Sequence, residues 1–163
     1  LALNFKVFDK IRKAVRDLPK FIRTKLKERV QRKVAQIFLD RLKRNLFSQN
    51  LNLQPLTDAY LAFKQREGLD QRILLATQTA IEGLHIFRSG DMTVAGAEPN
   101  QRSADGKIDL AELWAVLEMG SPSKNIPARP SFELTRMELE KELKRIAIKE
   151  IQLAADGFYA EFR

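Results

Sequence analysis

The chain has no cysteine. Disulfides, thiol nucleophiles and cysteine-type zinc sites are excluded together, and the composition fits a reducing compartment. It has one histidine, His85, so neither an HExxH pair nor any histidine cluster is available to hold a metal. His85 sits between apolar Leu84 and Ile86. That placement reads as a sheet-face or core histidine, since no set of catalytic partners accompanies it. Glycine is sparse, and Gly90 and Gly96 lie too far apart for a dinucleotide fingerprint; no Walker pattern occurs either. The carboxylates of 133–142 fall in a charged helical run rather than across a cleft. No apolar run reaches the ~18 residues a membrane span requires. The opening LALNFKVFDKIRKAV is interrupted by charges, which is not the layout of a signal peptide. These absences predict a protein with no catalytic residues, no cofactor, no metal and no membrane partner.

What is present is charge and helical periodicity. Of 163 residues, 44% are hydrophobic and 31% charged, the balance of a globular chain rich in charged helices. The net charge of +8 is unevenly placed: residues 1–47 carry 15 Lys/Arg against 4 Asp/Glu, and the remainder carries 14 against 17. A basic segment of this kind has two readings. One is an acidic partner, either nucleic acid or an acidic protein surface; the other is a solvated helix face. Residues 1–47 therefore form a basic helical N-terminal region, and 48–163 the remaining domain.

Phe8, Ile11, Val15 and Leu18 recur at helical spacing before Pro19. Ile22, Leu26, Val30, Val34, Ile37, Phe38 and Leu42 then make an apolar stripe over 21–47. A helix of about 26 residues would be roughly 39 Å long. Lys25, Lys27, Arg29, Arg32, Lys33, Arg41, Lys43 and Arg44 lie between the stripe positions; they are the candidate contacts to DNA or an acidic partner. Thr57 is placed to cap a helix over 58–66, which Gly68 would close. A hairpin is expected about Gly90, with strands near 86–88 and 92–94. Asp109 is placed to cap a helix over 110–119, ended by Gly120, with Trp114 on its apolar face beside Leu110 and Leu117. Phe132 to Leu134 fits either a short strand or the start of a helix. A charged helix follows over 135–156, with Gly157 as its expected stop and FYAEFR turning back or reaching a partner. The fold class that results is α+β, with long N-terminal and C-terminal helices packed on a small antiparallel sheet.

The segment EMGSPSKNIPARPSFELT places Pro122, Pro127 and Pro130 within nine residues. Each X-Pro step pushes its preceding residue out of the helical region, and Pro127 and Pro130 lack amide donors. The expectation is an extended strap that cannot be a central strand.

Three pieces of the chain, in order, resemble the phage virion-morphogenesis family, also described as tail-completion or neck proteins. PLTDAYLAFKQREGLDQRILLATQTAIEGL (55–84) is similar to its Pro-Leu-Ser/Thr, Tyr, Lys, Gly-Leu-Asp, Ile-Leu, Thr-Gly segment, with Gln78 where the family has glycine. LWAVLEMGSP (113–122) resembles its Tyr-Ala…Glu-x-Gly signature, with Trp114 in place of tyrosine. NIPARPSFEL (125–134) resembles its Ile-Pro-Ala-Arg-Pro-Phe hallmark, with Ser131 inserted. The resemblance covers about 55–155. It implies a non-enzymatic structural subunit of a virion neck, assembled in the host cytoplasm. Such a subunit forms a sixfold or twelvefold homo-oligomeric ring between the head-completion or connector protein and the tail terminator or tail tube, with passing contact to genomic DNA. Trp114, Glu118, Gly120, Ile126, Pro127, Arg129, Pro130 and Phe132 are the motif positions it marks. Because Arg129 and Glu118 both fall in the matched signature, an ion pair between them is expected. The competing reading is a basic helical nucleic-acid-binding protein carried by 1–47, against which no helix-turn-helix, zinc-finger or RNP pattern is legible.

Overall fold

The structure is a computed structural model. It describes residues 20–74, 79–103 and 106–161, with side chains over 23–74, 80–103 and 106–153. The helix expected over 5–18, the side chain of Ile22 and the side chains of FYAEFR lie outside these. The described chain is α+β: helices α1 (Lys20–Ser48), α2 (Asp58–Arg66) and α3 (Thr79–Glu82), strands β1 (Leu84–Ser89) and β2 (Met92–Ala97), then helices α4 (Leu110–Met119) and α5 (Ser131–Glu161). Its contacts divide it into two compact units, one of Leu1–Val34 with Glu140–Arg163 and the other of Ala35–Leu139. Both divisions fall inside long helices, so Ala35–Ser48 belongs with the hairpin and short helices.

In the larger unit, α1 supplies Leu39, Leu42 and Leu46 to one core with Leu74, Ile81, Leu84 and Trp114. Leu39, Leu42 and Leu46 are spaced three and four apart, which keeps them on one helix face. The apolar stripe read from the sequence ends at Leu42, and the buried one continues a turn further. Asn45 interrupts it, at 2% exposure. Its amide donates to Thr135 Oγ1 at 3.2 Å and to Glu138 Oε2 at 2.7 Å. Glu138 also pairs with Arg41. Those two partners hold its carboxyl below the usual range, the hydrogen bond from Asn45 being the larger cause.

The hairpin forms about Gly90, which adopts φ +58, with Leu84 opposite Ala97 and Ile86 opposite Ala95. These four residues share the core face, two apart along each strand. Thr57 caps α2 by accepting from Tyr60 N at 3.4 Å. Asp109 caps α4 by accepting from Ala111 N at 2.9 Å and Glu112 N at 3.1 Å.

In the smaller unit, Leu26 of α1 is buried and lines a shallow groove with Val30 and Ile151. Arg29 Nε donates to Glu150 Oε2 at 2.9 Å. Of the two readings of Phe132–Leu134, the helical one holds: these residues lie in the first turn of α5. One reading is corrected: Gly157 does not stop α5, which runs to Glu161. An interior glycine costs only about 1 kcal/mol against alanine, too little to break a long helix by itself.

Candidate functional site

The proline strap begins where α4 ends. Gly120 takes φ 77 and ψ 172, a region essentially reserved for glycine. A Cβ there would meet Ala128 N at 2.7 Å and Ile126 O at 2.9 Å. The chain then closes a small loop: Ser121 N donates to Ile126 O at 2.8 Å, and Ile126 N returns to Ser121 O at 3.0 Å. Inside it Pro122–Lys124 makes one 3-10 turn, ended by Asn125 in the left-handed region at φ 54. The strap is thus extended only after Ile126; its first half is a folded turn. Arg129 N donates to Leu117 O at 2.8 Å, which fastens the extended half to the last turn of α4.

Glu118 and Arg129 do not form the expected pair. Glu118 Oε1 accepts from Ser131 Oγ at 2.5 Å and from Phe132 N at 2.9 Å. The cause is local. Leu134 N donates to Pro130 O, so Pro130 opens α5 and has no side chain able to cap it. The first-turn amides need an acceptor, and a carboxylate at a helix N-terminus is also favoured by the helix dipole. Glu118 provides that acceptor from the neighbouring helix. Ser131 is fully buried and held by the same oxygen.

Arg129 instead crosses to the linker before α2. Its Nε donates to Gln54 O at 3.1 Å and its Nη2 to Pro55 O at 3.5 Å, at 7% exposure. Burial lowers its pKa. Phe132 packs edge-on to Trp114, ring centroids 5.5 Å apart, and 6.0 Å from Phe38. Trp114 donates its indole N–H to Ala80 O at 3.0 Å. The structure therefore gathers Trp114, Glu118, Gly120, Arg129 and Phe132 about one brace, with Ile126, Pro127 and Pro130 half-buried along it.

Lys64 is the residue whose role the sequence concealed. Among the described residues it is the largest fully buried side chain, and its Nζ donates to Asp70 O at 2.7 Å and Arg72 O at 2.8 Å. Desolvation lowers its pKa, partly opposed by Asp70. Asp70 is gripped by Arg72 through Nε and Nη2 at 3.0 and 2.5 Å, and these bonds hold its carboxyl down at about 2. Gln49 completes the clamp by accepting from Ile73 N at 2.7 Å. Lys64 lies four residues after Tyr60 and three after Leu61, on one helix face, but the sequence reading gave it no buried role.

Of the basic candidates, Lys25, Lys27, Arg29, Arg32 and Lys33 are exposed in the smaller unit; Arg44 is exposed and Arg41 and Lys43 half-buried in the larger. Arg29 and Arg41 are in ion pairs. His85 is half-buried on β1, its Nδ1 3.0 Å from Gly83 O and its Nε2 3.3 Å from Glu98 Oε2. Among the described residues no cluster of acidic or histidine side chains could hold a metal ion, and no helix is long and apolar enough to cross a membrane.

Two predictions arise from the brace. Glu118→Ala should cost about 2 kcal/mol in urea unfolding, because it removes a cap and leaves the Ser131 hydroxyl unsatisfied. Glu118→Gln, which keeps an acceptor, should cost less than half of that. Asp70 gives a pH dependence. Its folded pKa lies below its unfolded value of about 3.9, so its contribution is present above that value. It is lost as pH falls from about 4 towards 2. Asp70→Asn should flatten that part of the stability profile, measured by thermal melts across the acid range.

Compared with protein-family models, with curated proteins and with solved structures, the chain matches none of them.

Proposed function

We propose that the chain is a non-enzymatic structural protein of a tailed phage, a subunit of an oligomeric ring in the neck that joins the head connector to the tail. The observation that carries this reading is how its most characteristic residues are used. Gly120, Glu118 and Arg129, all in the segments that resemble the virion-morphogenesis family, fix the shape of the strap. The two charged groups are committed to backbone and hydroxyl partners. A part copied around a ring needs one reproducible shape, because small errors in a heterologous contact prevent closure. An exposed aromatic pair supports the same reading: Tyr60 and Phe63 on α2 stack at 5.9 Å while 42% and 40% exposed, and aromatics of this kind are enriched in subunit interfaces.

Electron cryo-microscopy of the virion is the test. The expected result is a closed ring of this chain between connector and tail; density for it elsewhere in the particle, or none, contradicts the reading. The exposure of Arg23, Arg32 and Lys33 on α1 favours a second reading, contact with nucleic acid. In that case DNA affinity should fall steeply with salt and vanish when these three are replaced by glutamine.

A further inference from the structure

One cavity of the larger unit is not explained by the brace. It has a volume of about 310 Å³ and lies between α2, α4 and the strap. Leu56, Leu74, Ile108, Leu113 and Leu117 give it apolar walls, and Tyr60, Lys64 and Arg129 its polar groups. Two of those polar groups are cations, at 1% and 7% exposure.

We propose that this cavity binds a carboxylate carried on an apolar body, with the Arg129 guanidinium as its receptor. A buried guanidinium is ordinarily paired with a carboxylate. Arg129 has no such partner among the described residues: it uses Nε and Nη2 on two backbone carbonyls, and its Nη1 group has no protein acceptor. Its planar fork suits a carboxylate. Lys64 adds charge rather than a direct bond, since its Nζ already holds the carbonyls of Asp70 and Arg72. Asp70 is ion-paired with Arg72 at 2.5 Å and only partly offsets Lys64; among the described residues that line the cavity, the charged ones are Lys64 and Arg129. Burial depresses both cations, and the Arg129 charge lowers Lys64 further; an anion between the walls relieves that cost. The aliphatic lining discriminates against phosphate or sulfate, whose hydration it could not replace, and favours an apolar acid small enough for the volume.

Such a carboxylate has two sources, a free small molecule or the C-terminus of a neighbouring chain. Calorimetric titration of the full chain with 3-phenylpropionate and with its amide tests the shared chemistry. The acid should bind saturably at one site, and the amide at least about tenfold more weakly, the scale of one charge-assisted hydrogen bond. Arg129→Gln should weaken the acid by a similar factor. Because Arg129 also braces the strap, Ile108→Trp provides an independent variant: Ile108 is 47% exposed at the rim, and the larger side chain should obstruct the cavity without disturbing the core. An N-acetylated Ala-Leu-Leu peptide with a free C-terminus identifies the source, being tighter than 3-phenylpropionate if a chain terminus is the occupant and weaker if a small molecule is. No binding of either acid at millimolar concentration overturns the proposal. So does equal binding of acid and amide, or acid binding unchanged in Ile108→Trp.

Discussion

Gly120→Ala should lower the stability of the chain by about 3 kcal/mol, with the urea midpoint falling and the m-value unchanged. Two costs combine. The backbone at φ 77 and ψ 172 disfavours any L side chain by roughly 1–3 kcal/mol. The added methyl would also stand 2.7 Å from Ala128 N and 2.9 Å from Ile126 O, where backbone rather than a flexible side chain must move; overpacking of this kind costs about 1–3 kcal/mol. The melting temperature should fall by roughly 6–12 °C for a chain of this size. Gly68→Ala is the control. Gly68 also has a positive φ, +65, but a Cβ there meets nothing within 4 Å, so about 1 kcal/mol of conformational cost is all that should appear. Equal losses at the two glycines would show that the close approach of the strap to α4 is not real.

Lys64→Met should cost about 3 kcal/mol by the same measurement. Methionine fills a similar volume, but it leaves the carbonyls of Asp70 and Arg72 without their donor. Hydrogen bonds from a charged group contribute about 1.5–3 kcal/mol each, and relief from burying the ammonium returns part of the loss. The sign of the pH dependence separates this account from simple packing. Lys64 has a folded pKa below its unfolded one. Between those two values the unfolded chain binds more protons, so native stability rises with pH through that window. The wild type should therefore gain on Lys64→Met as pH approaches the ordinary lysine range. A constant difference between the two proteins across alkaline pH would mean that the ammonium is not desolvated in the fold.

The short elements were legible because their punctuation is local. Thr57, Gly68, Asp109 and Gly120 each sit at a boundary where one backbone group needs a partner or one residue needs a positive φ, and those needs are written in the adjacent sequence. The hairpin was legible for the same reason at Gly90. The errors lie where a contact joins distant segments. Nothing in the local sequence marks Lys64 as buried, because the carbonyls that hold it belong to a loop without secondary structure. Glu118 and Arg129 were expected to pair because both fall in the matched signature, yet the demand that decided Glu118's partner was the uncapped start of α5 behind Pro130. That demand was readable: proline at a cap position cannot cap with its side chain, and an acid two residues before Gly120 lay within reach. Asn45 left a similar signal as a polar residue between Leu42 and Leu46. Arg129's reach to Gln54 and Pro55 spans the domain and has no local trace.

The measurement that bears most directly on the proposed role is electron microscopy of particles made by the phage without this chain. A neck-joining subunit predicts DNA-filled heads and finished tails that accumulate separately, and restoration of joined particles when the chain is supplied. Intact, infectious virions formed in its absence would contradict that role.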